Sequence, residues 1–174
     1  MTLEARIHEL CAAEPWLAAW FRLGEVIVQT PERSWATRKA YTDECPADLQ
    51  AIGCTGLNAR GLHDWVGWDL DVGHGRPEKQ YGATFVAIQA GKMIRARAGP
   101  STEVRLSKSG KGVHVRHVLA DPLPPTETAS FARAIVHELG IKADATALSR
   151  QAFWLWCGSR VQDSFKLIEA ADFS

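Results

Sequence analysis

The stretch Trp65-Val66-Gly67-Trp68-Asp69-Leu70-Asp71-Val72 limits the possible folds more than any other part of the chain. In an extended strand successive side chains alternate faces. Val66, Trp68, Leu70 and Val72 then point to one side and can seat the strand in a core. Asp69 and Asp71 point to the other side, where they offer two carboxylates to a metal ion without spoiling the packing. Taken alone, such a pair is an everyday acidic strand end.

A second segment changes its meaning. Residues 104–115 read as two short β-like runs joined by Ser107-Lys108-Ser109-Gly110-Lys111-Gly112, with His114 just inside the second run. The turn brings together backbone N–H groups, the Ser109 hydroxyl and the Lys111 ammonium, the makings of a phosphate cradle. It is not a P-loop, because the Gly-x-x-x-x-Gly-Lys-Ser/Thr frame is missing. An ordinary hairpin uses Gly and Ser too. His114 falls on the strand face opposite Val113, Val115 and His117, so it faces the cleft, while His117 reads as a partnered core or edge histidine.

Asp-x-Asp at a strand end, a helix-sized spacer and then Ser-Gly-Lys-Gly-x-His-Val resemble motifs I and II of the archaeo-eukaryotic primase superfamily, the primase-polymerases. The resemblance covers residues 50 to 170. It implies template-dependent nucleotidyl transfer with two Mg2+ or Mn2+ ions, nucleoside triphosphates as substrates and single-stranded DNA as template. Magnesium takes one or two protein carboxylates and completes its shell with water and phosphate, and Asp69 and Asp71 suit that role. The resemblance places Ser109 and His114 on the incoming triphosphate. It also implies a third carboxylate after the helix that follows motif II, and Asp144 holds that place in order. Asp121, in a Pro-rich turn, and Asp163, late in a loop, compete for it. At ~3.3 Å per extended residue, Asp121 lies about 20 Å along the strand from His114. Where the family often carries an Arg-x-Pro-Gly-Thr-like segment, this chain has Trp156-Cys157-Gly158-Ser159-Arg160, which leaves Arg160 without an inherited role.

The rest of the chain is read for elements. Leu3, Ile7 and Leu10 have helical spacing, and Trp16 to Phe21 continues as a helical turn or two after Pro15. Val26-Ile27-Val28 is β-branched and predicts a strand. Thr30 to Asp48 is polar and reads as a solvated loop, whose Trp35 and Tyr41 tuck back onto the domain or, among Arg33, Arg38 and Lys39, stack bases. Ala51 to Leu57 predicts a Gly-containing strand. Tyr81, Phe85 and Ile88 predict a helix stripe, with Gly91 and Gly99-Pro100 bracketing its end. Thr126 is the expected N-cap of a helix carrying Phe131, Ile135 and Leu139 and ending at Gly140. Phe153–Trp156 and Phe165–Ile168 close the chain as apolar runs. The expected fold is α+β: one catalytic domain over 1–174, with a small N-terminal α/β module (1–50) and an RRM-like palm (51–174) of mixed or antiparallel sheet with helices.

Composition narrows the function classes. With 46% hydrophobic residues and seven tryptophans the chain can fill a core. Zero net charge supplies no global field for coating nucleic acid, though a local basic strip could track a backbone. There is no apolar run long enough to span a bilayer and no basic-then-apolar leader, so a cytoplasmic protein without membrane contact is expected. Cys45, Cys54 and His63 are spaced too widely for a structural zinc site. The resemblance is to minimal cores of phage and plasmid replication modules, with unwinding left to a separate helicase. Two alternatives stand beside it: a replication initiator that keeps the fold and binds nucleic acid without catalysis, and another Asp-x-Asp metal-dependent nucleotidyl- or glycosyltransferase. Dependence on a template strand separates the last from a polymerase.

Overall fold

The structure, a computed structural model, describes residues 1–38, 43–145 and 152–169. Helix α1 (Leu3–Ala13) is started by the Thr2 hydroxyl, which accepts the Ala5 N–H at 3.2 Å, and it buries Leu3, Ile7 and Leu10. A 3-10 turn over Pro15–Ala19 leads to strand β1 (Val26–Thr30). Where polar composition predicts a loop, β2 (Arg33–Arg38) pairs antiparallel with β1, Ile27 opposite Thr37 and Val28 opposite Ala36. An edge strand tolerates polar residues because its ladder is made by the backbone. The base-stacking set expected around Trp35 and Tyr41 falls on side chains outside those described. Strands β3 (Ala51–Cys54) and β9 (Phe153–Cys157) complete this sheet in the order β2-β1-β3-β9, all antiparallel. Residues on both sides of position 50 therefore share one sheet.

The second sheet is built on the acidic strand, β4 (His63–Val72). One of its edges pairs antiparallel with β7 (Val113–Leu123), which pairs in turn with β6 (Thr102–Leu106). The other edge is divided between two short strands. β8 (Asp144–Ala145) lies antiparallel against Trp68 and Asp69, and β5 (Gln80–Tyr81) runs parallel to Asp71 and Val72. Helices α2 (Thr84–Ala98) and α3 (Pro125–Leu139) cover one face. The chain is α+β with one antiparallel and one mixed sheet.

Val66, Trp68, Leu70 and Val72 meet both helices in one core, with Ile88, Ile94, Ala132 and Ile135 opposite them. The helix starts differ from expectation. Tyr81 is still extended, α2 begins at Thr84, and Phe85 is 54% exposed, so the inward stripe is Ala87, Ile88, Gly91 and Ile94. Gly91 does not end the helix. A Cβ there would lie 3.1–3.2 Å from Val104, Val113 and Val115, so the glycine lets α2 lie close on the hairpin. α3 starts at Pro125, whose missing N–H costs nothing in a first turn, and Thr126 is inside it. Phe165–Ile168 forms no strand but runs beside β6 through the Ile168 N–H to Val104 carbonyl bond, 2.9 Å.

The other face of β4 meets the first sheet. Trp65 packs on Phe153 and Trp20, with ring centroids 5.6 and 6.0 Å apart. A Cβ at Gly67 would come within 2.7 Å of the Phe153 ring, so only glycine admits this approach. Beyond Gly67 the sheets separate, and a cavity opens where the carboxylates begin.

Candidate active site

Strand register brings the polar side chains into one row. Asp69 is flanked by His114 on β7 and by Asp144 on β8, and Arg105 on β6 lies beyond His114. Asp71 follows two residues along the same face. The structure thus brings together Asp69, Asp71 and Asp144, and leaves the two competitors exposed. Asp121 lies exposed near the far end of β7, which runs through the Pro-rich segment as a strand. Asp163 is exposed in the loop after β9, 4.0 Å from Lys166.

Crowding shows in the acidities. Burial, then the charges of Asp71 and Asp144, push the Asp69 carboxyl well above the usual carboxylate range. Asp71 is also raised, by burial and by Asp144, against the opposing pull of His74. Burial and the Arg116 and His74 charges push His114 down to about 3, so its imidazole is neutral at neutral pH. Its Nε2 lies 3.5 Å from Asp69 Oδ1, its ring meets Phe153 edge-on at 5.0 Å, and its buried Nδ1 has no hydrogen-bond partner.

Asp69 and His114 line a cavity of about 200 Å³ with His74, Ser107, Lys108, Ser109 and Trp154. A second cavity of about 770 Å³ shares His74, Lys108 and Ser109 and extends to Lys111, Tyr81 and Ser159. Ser109, Lys111 and His114 therefore border two cavities that share three lining residues, the smaller of them lined by Asp69. The cradle is narrower than expected. The Gly110 N–H closes the turn onto the Ser107 carbonyl at 3.0 Å, and the Lys111 N–H reaches Ser109 Oγ at 3.3 Å. Those two N–H groups are used inside the turn, and the Ser109 hydroxyl, 3.0 Å from Ser107 Oγ, borders the larger cavity with Lys111. Lys108 turns away to Gln29 Oε1, 2.6 Å, over the Trp154 ring.

Other contributors escaped the sequence reading. Ser164 donates to the Lys108 carbonyl at 2.7 Å and the Phe165 N–H to Ser107 at 3.3 Å, so the loop after β9 clamps the cradle. Arg160 ties that loop to Glu14 and lies over Phe165. His74, Arg76 and Lys79, between β4 and β5, hold the carboxylates: His74 Nδ1 is 2.9 Å from Asp71, while Arg76 and Lys79 are 3.1 and 2.5 Å from Asp144. The basic run directly after the Asp-x-Asp strand was the available signal. His117, by contrast, takes the partnered place expected of it, 2.8 Å from Thr102 Oγ1 and stacked on Phe131.

Among the described residues, no group of three His, Cys, Asp or Glu side chains converges as a ready metal cage. Asp71 and Asp144 are each engaged by cationic partners instead. The donor set itself, three carboxylates of which two bind protons abnormally tightly, has the oxygen chemistry that hard divalent cations require.

No protein-family model matches the chain, and no curated protein matches it. Among the described residues no helix is long and apolar enough to cross a membrane.

Proposed function

We propose that this chain is a primase-polymerase catalytic domain, joining nucleotides on a single-stranded DNA template. The observation that carries the reading is the register of Asp144 against Asp69, which sets a carboxylate from a distant part of the chain beside the Asp-x-Asp pair and across from His114. The order β8-β4-β7-β6, antiparallel throughout with two helices on one face, supports an RRM-like palm.

In this reading Asp69, Asp71 and Asp144 hold two Mg2+ or Mn2+ ions. Such ions, when bound, supply Lewis-acid stabilisation of the attacking and leaving oxygens in phosphoryl transfer. The chain's own residues do the rest. Lys111 and the Ser109 hydroxyl hold the triphosphate, and the clamp from Ser164 keeps that hydroxyl in place. Neutral His114 can donate a hydrogen bond to a phosphate oxygen without placing a charge beside Asp69. The Phe153 and Trp65 packing closes one end of the cleft to water. A separate helicase would open the duplex, and a phage or plasmid replication module is the setting we infer.

The test is incubation of the purified chain with labelled ribo- or deoxynucleotides, Mn2+ or Mg2+ and templates of different sequence. Incorporation that follows the template and stops with Asp69→Asn is expected. Incorporation indifferent to the template would point to another Asp-x-Asp transferase. Template binding without incorporation would point to a catalytically silent initiator.

A further inference from the structure

The loop that follows the acidic strand is folded back on it. Gly73 and Gly75 take positive φ values of 78° and 86°, which glycine adopts freely, and the Gln80 side chain donates to the Gly75 carbonyl at 2.6 Å. The pairing of Gln80 with Asp71 anchors the far end. The fold-back delivers three cationic or protonatable side chains onto two carboxylates: His74 to Asp71, and both Arg76 and Lys79 to the same Asp144 oxygen.

Exposed ion pairs alone contribute little. Here, however, two cations converge on one oxygen of a carboxylate only 16% exposed, on the residue paired directly across the ladder from Asp69. His114, 5% exposed, lines the adjoining cavity with its Nε2 3.5 Å from Asp69 Oδ1. Resting on the metal-dependent reading above, we propose that Arg76 and Lys79 are built-in counter-ions that compete with the divalent ion for Asp144 and so set the affinity of the site. An ion that takes that Asp144 oxygen displaces both cations, and one that takes the other oxygen binds against their charge.

The experiment is Mn2+ titration, read as free Mn2+ by electron paramagnetic resonance at fixed ionic strength. It compares the full chain, Arg76→Gln/Lys79→Gln, Lys79→Gln alone, Asp144→Asn and the triple variant. At water-like screening, two unit charges removed from near a divalent ion correspond to about tenfold or more in affinity. The double variant is expected to bind Mn2+ tighter by that factor and Lys79→Gln by less. Asp144→Asn is expected to bind more weakly and, in the triple variant, to erase most of the gain. Melting curves identify any variant that does not fold, and Lys79→Gln carries the test if the double variant is lost. Binding by the wild-type chain with no gain in folded Lys79→Gln or the double variant would overturn the counter-ion role and leave the metal reading standing. Absence of Mn2+ binding in every folded variant would overturn both.

Discussion

Asp69 and Glu103 lie on the same face of one sheet, with only β7 between their strands, and their carboxyl groups are driven in opposite directions. Burial works to raise Glu103. The Arg105 hydrogen bonds and the Arg116 and Arg105 charges outweigh it and hold the group below the usual range. Its oxygens receive Arg105 at 3.0 Å and Arg116 at 3.0 Å, and the Arg116 guanidinium sits over the Trp20 ring, 4.9 Å from its centre. Asp69 has two acids for neighbours and a neutral imidazole across the ladder. A carboxylate satisfied by its surroundings serves the fold. One pushed up by burial and by neighbouring acids has the kind of perturbed acidity that clusters at functional sites, and the two groups show the two directions on one surface.

The sharpest way to break this comparison is to neutralise each acid in turn. Asp69→Asn is expected to lower template-directed incorporation at least about a thousandfold, equivalent to about 4 kcal/mol of transition-state stabilisation. Urea unfolding of the same variant without metal is expected to show no loss of stability, since like-charge repulsion is relieved. Glu103→Gln reverses the pattern. It leaves the buried Arg116 without its countercharge and is expected to cost roughly 3 kcal/mol or more in urea unfolding, with turnover per folded molecule little changed. If Glu103→Gln impaired catalysis and not stability, the division between the two ends of the sheet would be wrong.

Smaller effects refine it. On the proposed reading Ser109→Ala and His114→Ala each remove a donor to the triphosphate worth roughly 1.5–3 kcal/mol, so catalytic efficiency is expected to fall about ten- to a hundredfold. Steady-state kinetics over a range of nucleotide concentrations measures it, and weakened template binding at unchanged efficiency would move both residues to the nucleic-acid path.

The mildest test is the pH profile of stability in EDTA. Asp69 binds its proton more tightly folded than unfolded. The stability it adds is complete below the ordinary carboxylate range and is lost as pH rises through its raised value. Glu103 behaves oppositely: its contribution is complete above that range and is lost as pH falls through its depressed value. The wild-type profile also carries His63, His114 and His117, whose lowered values cost stability as pH falls below the ordinary imidazole range, so each acid is read by difference from its variant. The stability of the wild type relative to Asp69→Asn is expected to grow as pH drops from neutral, and its advantage over Glu103→Gln to shrink in stronger acid.

Local alternation made β4 readable from Trp65 to Val72, because burial of one face and exposure of the other leaves a period-two trace. The hairpin around Ser109 was readable from its turn residues, and Asp144 from its order behind an amphipathic helix. β2 was not, since its partner is β1's backbone and its side chains carry no periodic signal. The start of α2 was misplaced because Tyr81 has helical spacing to Phe85 and Ile88 while its backbone is still paired to Val72. Arg76, Lys79 and Ser164 were invisible as site residues, because only the folded chain shows which carboxylate or carbonyl each one reaches.

The brevity of β8 has a consequence for how the site comes and goes. Asp144 joins its partners through a two-residue strand, and the loop closed by that pairing contains α2, the hairpin and α3. Closing so long a loop is entropically costly, and it follows the elements within it, so the acidic cluster is expected to be among the last features to form as the chain folds. With only two ladder positions and one small core side chain, Ala145, to hold it, β8 is expected to detach more readily than the core under β4 unpacks. Such an opening would dissolve the site without melting the protein, at a free-energy cost well below that of global unfolding. Amide exchange at Ala145 is where that opening would be seen.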